Sequence, residues 1–591
     1  MQTTVRAAVA ASLLALCGHA LAATTPPQDV PRPLGTDRPS AATIAQWQDR
    51  RFGMFIHFGL YSALGGEWQG KRVDNGYSEQ ILANGNIDGA AYAATAASFN
   101  PVDFDADAIA RLAKAAGMKF IVITSKHHDG FNMFHTRVTP YNIVDATPFK
   151  RDVVKELAEA CKKEGLAFGV YYSTIDWHHP GGNTYIEGNS NPITAGQEAF
   201  NVAQLKELLG NYGPIAEIWF DMGKPTAAQS RHFEETVHEL QPQTMVSGRV
   251  WNHQGDFTVM GDNAEPKVRV EEPWQSPASM FPETWGYRSW QERGDVQAKV
   301  RENIARLVRV VSAGGNYILN IGPKGDGSVV PFEADVLRGI GAWMKTNGEA
   351  VYGTRASPFG KLDFGHATMG RDTVYLFIDK PPADGVLHLP GVVGSPFGHM
   401  RVLGGGPAVD VEATQAGDGL DIQAGRLLAR QEAKAFEPVI ALSVGRPLHV
   451  IPPDVRSAVN GVVVLPGSDA ERFLNYNGYG YEDPATVYKL QWHAALGKGT
   501  YEATIRYVAS PSPSPTSMAL VVDGHAQPLV LPAGKGEQTV TTRISRDVVA
   551  QPDAMQLAIT PPEPFVKGTA LGLQIVQVSL RAVTMGKGHS H

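Results

Sequence analysis

Short apolar runs alternate with amphipathic stretches from Phe52 to about residue 345. The runs are rich in β-branched and aromatic residues, as buried strands are, and the stretches between them repeat their apolar positions every three to four residues, as helices do. Strands are predicted at 52–57, 119–125, 167–173, 217–221, 245–250 and 316–321, and helices at 40–49, 105–117, 152–165, 197–209, 227–240, 295–312 and 332–345. This order predicts parallel βα units that form either a barrel or a doubly wound sheet, and of these we expect a (β/α)8-like barrel. Residues 251–290 show little regular pattern, so we expect an irregular segment there.

The pattern changes near Ser357, where strand-like runs separated by Gly and Pro replace the helical periods. Such runs are typical of antiparallel β domains. A second break lies at Pro447–Ser457, and the remainder is again rich in strands. We therefore predict a catalytic barrel over residues 38–355, a β-sandwich over 356–445 and a C-terminal β-rich, jelly-roll-like module over 447–585. The C-terminal module is a candidate for carbohydrate binding or for packing against the other domains.

The first residues predict export. Arg6 precedes an apolar stretch, and Ala20-Leu21-Ala22 is a small-x-small cleavage sequence, so residues 1–22 resemble a signal peptide. The protein is thus expected in the periplasm or outside the cell. No later stretch has the roughly 18 apolar residues in a row that a membrane-spanning helix needs. Removal of the signal peptide leaves Cys161 alone, which excludes an internal disulfide.

Charge excludes some classes of partner. The chain has 52 Lys and Arg against 59 Asp and Glu, a formal net charge of -7. A protein with this balance has no electrostatic reason to bind nucleic acid or an anionic membrane. The sequence carries no signal for a particular oligomeric state, and no motif for a bound cofactor.

Five predicted strands end in polar residues that are able to do chemistry. A closed βα barrel brings the carboxyl ends of its strands together at one mouth, which is where such barrels hold their active sites. Packing alone does not explain this repetition. The strand ends carry His57, the pair His127 and His128, Tyr171, Asp221 and Arg249.

One hypothesis for this mouth is metal-dependent hydrolysis. The first strand offers His57 alone, whereas barrel metallohydrolases usually need a closely spaced pair of ligands there. His127 and His128 are adjacent, so in an extended strand they point to opposite faces. The sequence therefore disfavours a catalytic metal, and we predict that no metal ligand is present.

The second hypothesis is glycoside hydrolysis by two carboxyl groups, with Asp221 as the nucleophile. The irregular segment after Arg249 supplies candidates for the partner acid. Aromatic residues suited to the apolar face of a sugar lie near the strand ends. A third hypothesis, a non-catalytic sugar-binding protein, leaves Asp221 idle. The candidate acids are Asp256, Asp262, Glu265, Glu271, Glu272 and Glu283, and the aromatic residues are Trp68, Trp177, Trp219 and Trp285.

Five motifs, in this order, resemble the signatures of the α-L-fucosidases of glycoside hydrolase family 29. The motifs are Phe55–Gly59, Lys126–Phe131, Gly169–Ser173, Trp219–Gly223 and Thr284–Tyr287. The resemblance covers about residues 38–445 and implies a barrel followed by a β-sandwich. It also implies a retaining exo-α-L-fucosidase that acts on fucosylated oligosaccharides or glycoconjugates, through a covalent intermediate and without a metal.

The resemblance also implies roles for single residues. Asp221 matches the family's nucleophile, and Trp219 and Trp285 match contacts to the sugar's C5 methyl group. The positions that match ligands of the fucose hydroxyls are His57, Glu67, Trp68, His127, His128, Tyr171 and Arg249.

The acid/base residue is where the sequence departs from the family pattern. A Glu commonly follows a Trp shortly before the Trp-Gly-Tyr motif, but here Gln275 follows Trp274. Glu272 is our first choice for the acid and Asp262 the second. Glu271 is less suitable, because it neighbours Glu272 in an extended run and would point the other way.

Overall fold

Eight strands that run in the same direction form a closed barrel in the computed structural model of the chain. The structure describes residues 39–180, 191–265, 270–430, 436–452, 454–474, 487–508, 516–547, 554–562 and 571–583. The predicted signal peptide, residues 1–22, lies outside these ranges. Elements up to residue 347 are α1 Ala41–Asp49, β1 Phe52–Ile56, α2 Leu60–Leu64, β2 Glu67–Trp68, β3 Lys71–Arg72, α3 Ile81–Asn84, α4 Gly89–Ala94, α5 Ala106–Ala115, β4 Phe120–Lys126, α6 Val153–Glu164, β5 Ala167–Ser173, α7 Ala195–Asn211, β6 Glu217–Asp221, α8 Ala227–Leu240, β7 Met245–Val246, β8 Thr258–Val259, β9 Trp274–Ser279, α9 Val296–Ser312, β10 Asn316–Ile321 and α10 Pro331–Asn347.

The barrel strands follow one another in chain order as β1, β4, β5, β6, β7, β8, β9 and β10, and β10 pairs with β1. Neighbours pair in parallel, and a bridge between Ser247 and Phe257 joins β7 to β8. Most of these strands are buried on both faces, because helices cover the outside and side chains fill the inside. The predicted (β/α)8-like fold is confirmed.

Two barrel strands lie where the sequence predicted an irregular segment. β8 is two residues long, and β9, whose sequence is Trp-Gln-Ser-Pro-Ala-Ser, is too polar for a buried strand. Gln275 of β9 explains the exception, because it accepts a hydrogen bond from the indole of Trp219 at 2.6 Å and donates one to Glu217 at 3.2 Å inside the barrel. A buried polar side chain is tolerated when it is paired in this way. The predicted strand 245–250 was too long, since β7 ends at Val246 and a tight turn follows at Gly248–Val250.

Beyond α10, the strands that the structure describes pair almost entirely in antiparallel fashion. This part of the chain contains β11 Gly365–Met369, β12 Thr373–Ile378, β13 Val386–Pro390, β14 Phe397–Val402, β15 Val409–Asp410, β16 Ala413–Ala416, β17 Gly419–Gln423, α11 Gly425–Leu428, β18 Val439–Val444, β19 Val462–Pro466, β20 Glu471–Leu474, β21 Val487–Ala494, β22 Gly499–Val508, β23 Thr516–Val522, β24 His525–Leu531, β25 Glu537–Arg546, β26 Met555–Thr560 and β27 Gln574–Ala582. Strands β11–β18 form a five-stranded and a three-stranded sheet around one apolar core. Strands β19–β27 form a four-stranded and a five-stranded sheet.

The five-stranded sheet that contains β21 touches the barrel at the end where the barrel strands begin. Glu271 lies three residues before β9, and its carboxylate accepts hydrogen bonds from the Tyr488 hydroxyl and the Lys489 ammonium, both at 2.7 Å. Both partners belong to β21. These contacts place β21 at the amino end of the barrel, which is the end opposite to the mouth. In the part of the chain that the structure describes, no helix combines the length and the apolar character needed to cross a membrane.

Candidate active site

A pocket opens at the carboxyl end of the barrel strands. Residues at or just after the ends of most barrel strands contribute to it. The lining residues are Phe55, His57, Tyr77, Glu79, Gln80, His127, His128, Tyr171, Trp219, Asp221, Met222, Arg249, Asp262 and Trp285.

Asp221 is the last residue of β6 and its carboxylate is held by two donors. The Tyr171 hydroxyl donates to Oδ2 at 2.8 Å, and the Arg249 guanidinium donates to Oδ1 at 3.1 Å. Burial raises the pKa of Asp221, and the Arg249 charge opposes that rise. With one donor on each oxygen, the carboxylate cannot turn freely. Its orientation in the pocket is therefore set by these two hydrogen bonds.

Arg249 joins two carboxyl groups in this pocket. Its second terminal nitrogen donates to Asp262 at 2.7 Å and to the carbonyl of Met260 at 3.0 Å. The guanidinium also lies over the Trp219 ring, 5.1 Å from its centroid. One rigid, always charged group thus sets the positions of Asp221 and Asp262 together. The structure brings Asp262 to the pocket with the predicted nucleophile.

The orientation of the His57 ring is fixed by a hydrogen bond at Nδ1. Nδ1 of His57 lies 2.7 Å from Oδ1 of Asn320, whose amide nitrogen donates to the Trp285 carbonyl at 2.7 Å. Asn320 therefore presents its oxygen to His57, so Nδ1 of His57 carries a proton and Nε2 is an acceptor. Burial lowers the pKa of His57 to about 4, which keeps the ring neutral near pH 7.

Aromatic rings form the floor and one wall of the pocket. The Phe55 ring lies 5.0 Å from Trp219 and 6.2 Å from Trp285. The Tyr171 and His127 rings stack at 5.5 Å. These rings are buried with the rest of the barrel interior, so their positions are set by packing before any ligand binds. They offer a rigid apolar surface beside the polar groups.

Five lining residues were not predicted as site residues; Phe55 and Met222 lie within motifs that the sequence singled out, whereas Tyr77, Glu79 and Gln80 come from a segment outside them. Glu79 is buried, and its Oε2 accepts the backbone N–H groups of Trp285 at 3.1 Å and Gly286 at 2.8 Å. It therefore holds the loop that carries Trp285. Burial raises the pKa of Glu79 to about 7, against the stabilising effect of these backbone donors. The segment lies between β3 and α3 and has no periodic pattern, so its sequence gave no reason to place it at the mouth.

Glu67 and Trp68 do not line the pocket. They form β2 of a small hairpin; Glu67 accepts a hydrogen bond from the Ser289 hydroxyl at 2.8 Å, and Trp68 packs against the hydrophobic core. The prediction that they contact the sugar therefore has no support in this geometry. Glu79, twelve residues further on, supplies the carboxylate on this side of the pocket.

Glu272, our first choice for the acid, does not lie at the pocket either. It lies two residues before β9 starts, at the amino end of the barrel, and accepts a hydrogen bond from the Thr258 hydroxyl at 3.1 Å. The pocket is at the carboxyl ends of the strands. A side chain at the opposite end cannot protonate a leaving group there, so the structure favours the second choice, Asp262.

Glu234, His238 and Asp256 form a cluster with the geometry of metal ligands. Within the described ranges it is the one group of three or more His, Cys, Asp or Glu found at that spacing, with one ligand atom of each within 4.8 Å of the others. None of the three lines the pocket. His238 and Asp256 hydrogen-bond at 3.0 Å, and Asp256 also accepts the Val246 N–H at 2.8 Å, so the contacts shown tie α8 to the loop after β7.

Buried carboxyl groups predict how stability depends on pH. Burial raises the pKa of Glu79, Asp129 and Glu217 to about 7 and that of Glu333 to about 8. Between their unfolded pKa near 4.5 and these values, the folded state binds more protons than the unfolded state, so acidification stabilises the fold. His57, His127 and His128 have the opposite effect, because burial lowers their pKa, that of His57 to about 4; this effect starts near pH 7 and grows as the pH falls through the unfolded value near 6.5. Above pH 6.5 we expect the four carboxyl groups to outweigh it.

We therefore expect the melting temperature to rise as the pH falls from 7.5 to 6.5. Differential scanning calorimetry measures this directly. Glu333→Gln is the matched variant, because it removes one raised pKa outside the pocket and should make the slope shallower. A melting temperature that is flat or falls over this interval would contradict the assignment of these groups as protonated.

The chain matches the family model described as Alpha-L-fucosidase over residues 33–349, more than half of its length. It belongs to the alpha-L-fucosidase family. The tissue alpha-L-fucosidase of Mus musculus is 33% identical over 335 residues, which cover 53% of this chain and 72% of that protein. The predicted family membership and glycosidase class are thereby confirmed.

Solved structures of the family share the fold. An alpha-L-fucosidase of glycoside hydrolase family 29 from Bacteroides thetaiotaomicron, solved as a trapped covalent intermediate with 2-fluoro-fucosyl fluoride, has a TM-score of 0.62 and 27% identity and covers 70% of this chain and 98% of its own. The alpha-L-fucosidase from Vibrio sp. strain EJY3 has a TM-score of 0.63 and 25% identity and covers 92% of this chain and 98% of its own. The family fold thus reaches well beyond the barrel.

Proposed function

We propose that this pocket hydrolyses terminal α-L-fucosides with retention of configuration, with Asp221 as nucleophile and Asp262 as general acid and base. The observation that carries the proposal is the shared contact of both carboxyl groups with Arg249 in one pocket. Two carboxyl groups that face one pocket are what a retaining glycosidase needs. The substrate class is fucosylated oligosaccharides or glycoconjugates.

In the first step, a carboxylate oxygen of Asp221 attacks C1 of the fucose. The bond between C1 and the leaving oxygen breaks, and Asp262 gives its proton to that oxygen, so the aglycone leaves as a neutral alcohol. The product is a β-fucosyl ester on Asp221. Tyr171 and Arg249 donate to the two oxygens of Asp221 in the resting state, so they hold it ready for in-line attack.

In the second step, Asp262 is a carboxylate and takes a proton from a water molecule. The water oxygen attacks C1 from the face that the aglycone left, the ester bond breaks, and Asp221 returns to its ionised form. Two inversions give net retention. Arg249 stays charged throughout and balances the negative charge as it moves between Asp221 and Asp262.

Fucose differs from related sugars by a methyl group at C5 in place of a hydroxymethyl group. The rings of Phe55, Trp219 and Trp285 provide an apolar surface for that methyl, and a hydroxymethyl there would bury an unpaired hydroxyl. Nε2 of His57 is left as an acceptor for a sugar hydroxyl by the hydrogen bond at its Nδ1. Glu79 and His127 line the same pocket and complete its polar side.

The test is a panel of nitrophenyl glycosides that includes the α-L-fucoside, assayed with and without a chelator. We expect cleavage of the α-L-fucoside, with release of α-L-fucose as the first-formed anomer in the NMR spectrum, and no effect of the chelator. Release of β-L-fucose first would exclude the retaining mechanism. Loss of activity on chelation would restore the metal-dependent hypothesis.

The proposal extends to export and to the division of the chain. Export to the periplasm or the medium is supported by the resemblance of residues 1–22 to a signal peptide. The division into residues 38–355, 356–445 and 447–585 is supported by the two breaks in the hydrophobic pattern. The C-terminal module is proposed to bind carbohydrate or to serve as packing for the barrel.

A further inference from the structure

Lys126 is a buried cation next to the pocket that the proposed reaction does not use. It ends β4, directly before His127, and its side chain is inaccessible to solvent. Its ammonium donates to the Ile175 carbonyl at 3.2 Å and lies 3.7 Å from an Asp176 carboxylate oxygen. It also lies over the Tyr172 ring, 4.5 Å from the centroid. Burying an ammonium is costly unless it is paired, and these contacts supply the pairing.

Asp176 ties the loop after β5 to the loop after β4. Its Oδ1 accepts the backbone N–H groups of His178 and His179, both at 2.9 Å. Gly130, in the loop after β4, has a φ of +76°, and a Cβ there would lie 2.1 Å from this same oxygen. Only glycine permits so close an approach of the two loops. The Lys126–Asp176 pair is thus the buried link between them.

His128 lies in the loop after β4 and is bonded to the end of β5 and to the loop after β5. The Trp177 N–H donates to the His128 carbonyl at 2.8 Å, and Nδ1 of the His128 ring lies 2.7 Å from the Ser173 hydroxyl oxygen. That hydroxyl is also 3.0 Å from the Ile175 carbonyl, the group that Lys126 binds. Lys126, Ile175, Ser173 and His128 therefore form one continuous chain of hydrogen bonds.

The direction of this chain fixes the tautomer of His128. A carbonyl oxygen only accepts, so the contact between Ser173 and Ile175 is a hydrogen bond only when the single hydroxyl proton of Ser173 points to Ile175. The Ser173 oxygen must then accept from His128, and the proton of the ring is on Nδ1. Burial lowers the pKa of His128 well below its usual value, and the Lys126 charge adds to this, so the ring is neutral. Its Nε2 is left with a lone pair.

We propose that Lys126 and Ser173 are positioning residues for substrate binding, which hold His128 in the Nδ1-protonated form so that its Nε2 accepts a hydrogen bond from a sugar hydroxyl. Lys126 acts through Ile175 and Asp176, and Ser173 acts directly. The identity of the sugar as fucose rests on the proposed function; the tautomer of His128 does not.

The first experiment compares wild type with Ser173→Ala and Lys126→Met on nitrophenyl α-L-fucoside and on analogues that carry fluorine in place of the hydroxyl at C3 or at C4. Fluorine cannot donate a hydrogen bond, so one analogue should bind wild type worse. In both variants we expect KM to rise roughly tenfold with a smaller change in kcat, the size of one good hydrogen bond. We define the fluorine penalty as the KM of the fluorinated analogue divided by the KM of the parent fucoside. In both variants this ratio should fall towards one at that position, because the acceptor nitrogen of His128 is no longer held in place.

Asp523→Asn is the matched control. It disrupts a buried ion pair in the C-terminal sheets, where the Arg546 side chain lies 2.6 Å from Asp523. The control should lower the melting temperature and leave KM and the fluorine penalty unchanged. If Lys126→Met does not fold, Ser173→Ala decides the question, since it removes one hydroxyl and no charge. A wild-type KM together with a wild-type fluorine penalty in Ser173→Ala would overturn the proposal.

The second experiment reads the tautomer without any substrate. Long-range ¹H–¹⁵N correlation spectra of histidine-labelled wild type are expected to show His128, assigned by its loss in His128→Gln, with a protonated Nδ1 and an unprotonated Nε2. Ser173→Ala should give averaged shifts of the two tautomers. A protonated Nε2 in wild type would refute the inference even if the enzyme cleaves fucosides. The expected spectrum without fucoside cleavage would refute the proposed function alone.

Discussion

Asp221→Asn is expected to reduce kcat/KM on nitrophenyl α-L-fucoside by several orders of magnitude. An amide oxygen is a poor nucleophile, and no covalent ester can form on it. The fold should survive, because the amide can turn its oxygen towards Arg249 and its nitrogen towards the Tyr171 hydroxyl, and Arg249 keeps its hydrogen bond to Asp262. Steady-state kinetics and a thermal melt of the same preparation measure both expectations.

A variant with a smaller residue at position 221 tests the same prediction through the product that it forms. Asp221→Gly opens space for an anion at the position of the lost carboxylate. Added azide should then attack C1 directly and give β-fucosyl azide, the inverted product, from a substrate with a good leaving group. Near-normal turnover of Asp221→Asn, or formation of the α-azide by Asp221→Gly, would remove Asp221 from the role of nucleophile.

Asp262→Ala is expected to have the second largest effect, and the effect should depend on the leaving group. General acid catalysis contributes about 10²–10⁴ to a rate, and natural sugar aglycones need it because they leave as poor alkoxides. A fucosyl oligosaccharide should therefore lose activity over this range. Dinitrophenyl fucoside, whose leaving group needs little protonation, should lose much less in the first step.

Glu272→Ala is the matched control, since it removes another carboxyl group that the sequence had favoured for the same role. It should behave as wild type on both substrates, because Glu272 contacts Thr258 at the amino end of the barrel. Azide should speed up Asp262→Ala and give α-fucosyl azide, because it intercepts the ester on the face that the aglycone left. The same leaving-group pattern in Glu272→Ala, with none in Asp262→Ala, would show that our assignment of the acid is wrong.

Much of the barrel could be predicted from the sequence, because its strands are buried on both faces. Residues 167–173, 217–221 and 316–321 are continuous apolar or β-branched runs, and the structure has strands over those residues. The sequence did not predict β9, because the cost of burying Gln275 is offset by its hydrogen bonds to Trp219 and Glu217, which are distant in sequence. A pairing of that kind is visible only after the chain has folded.

The same reason separates the site residues that sequence predicted from those that it missed. His57, Tyr171 and Asp221 end strands or follow them directly, so their place at the mouth follows from the barrel itself. Glu79 and Glu67 lie in a long irregular connection, where no period fixes which carboxylate turns inward. Glu79 does so because it binds the backbone of Trp285 and Gly286, two hundred residues away along the chain.

The contact of Glu271 with Tyr488 and Lys489 has a consequence for how the enzyme would meet a large substrate. It places β21 and its sheet at the amino end of the catalytic barrel, opposite to the mouth. A polysaccharide strand gripped by that sheet could not feed its own nearby fucose into the pocket without wrapping around the barrel. Binding of this kind would tether the enzyme and raise its local concentration on a fucose-rich surface. The enzyme would then remove fucose from neighbouring polysaccharide strands.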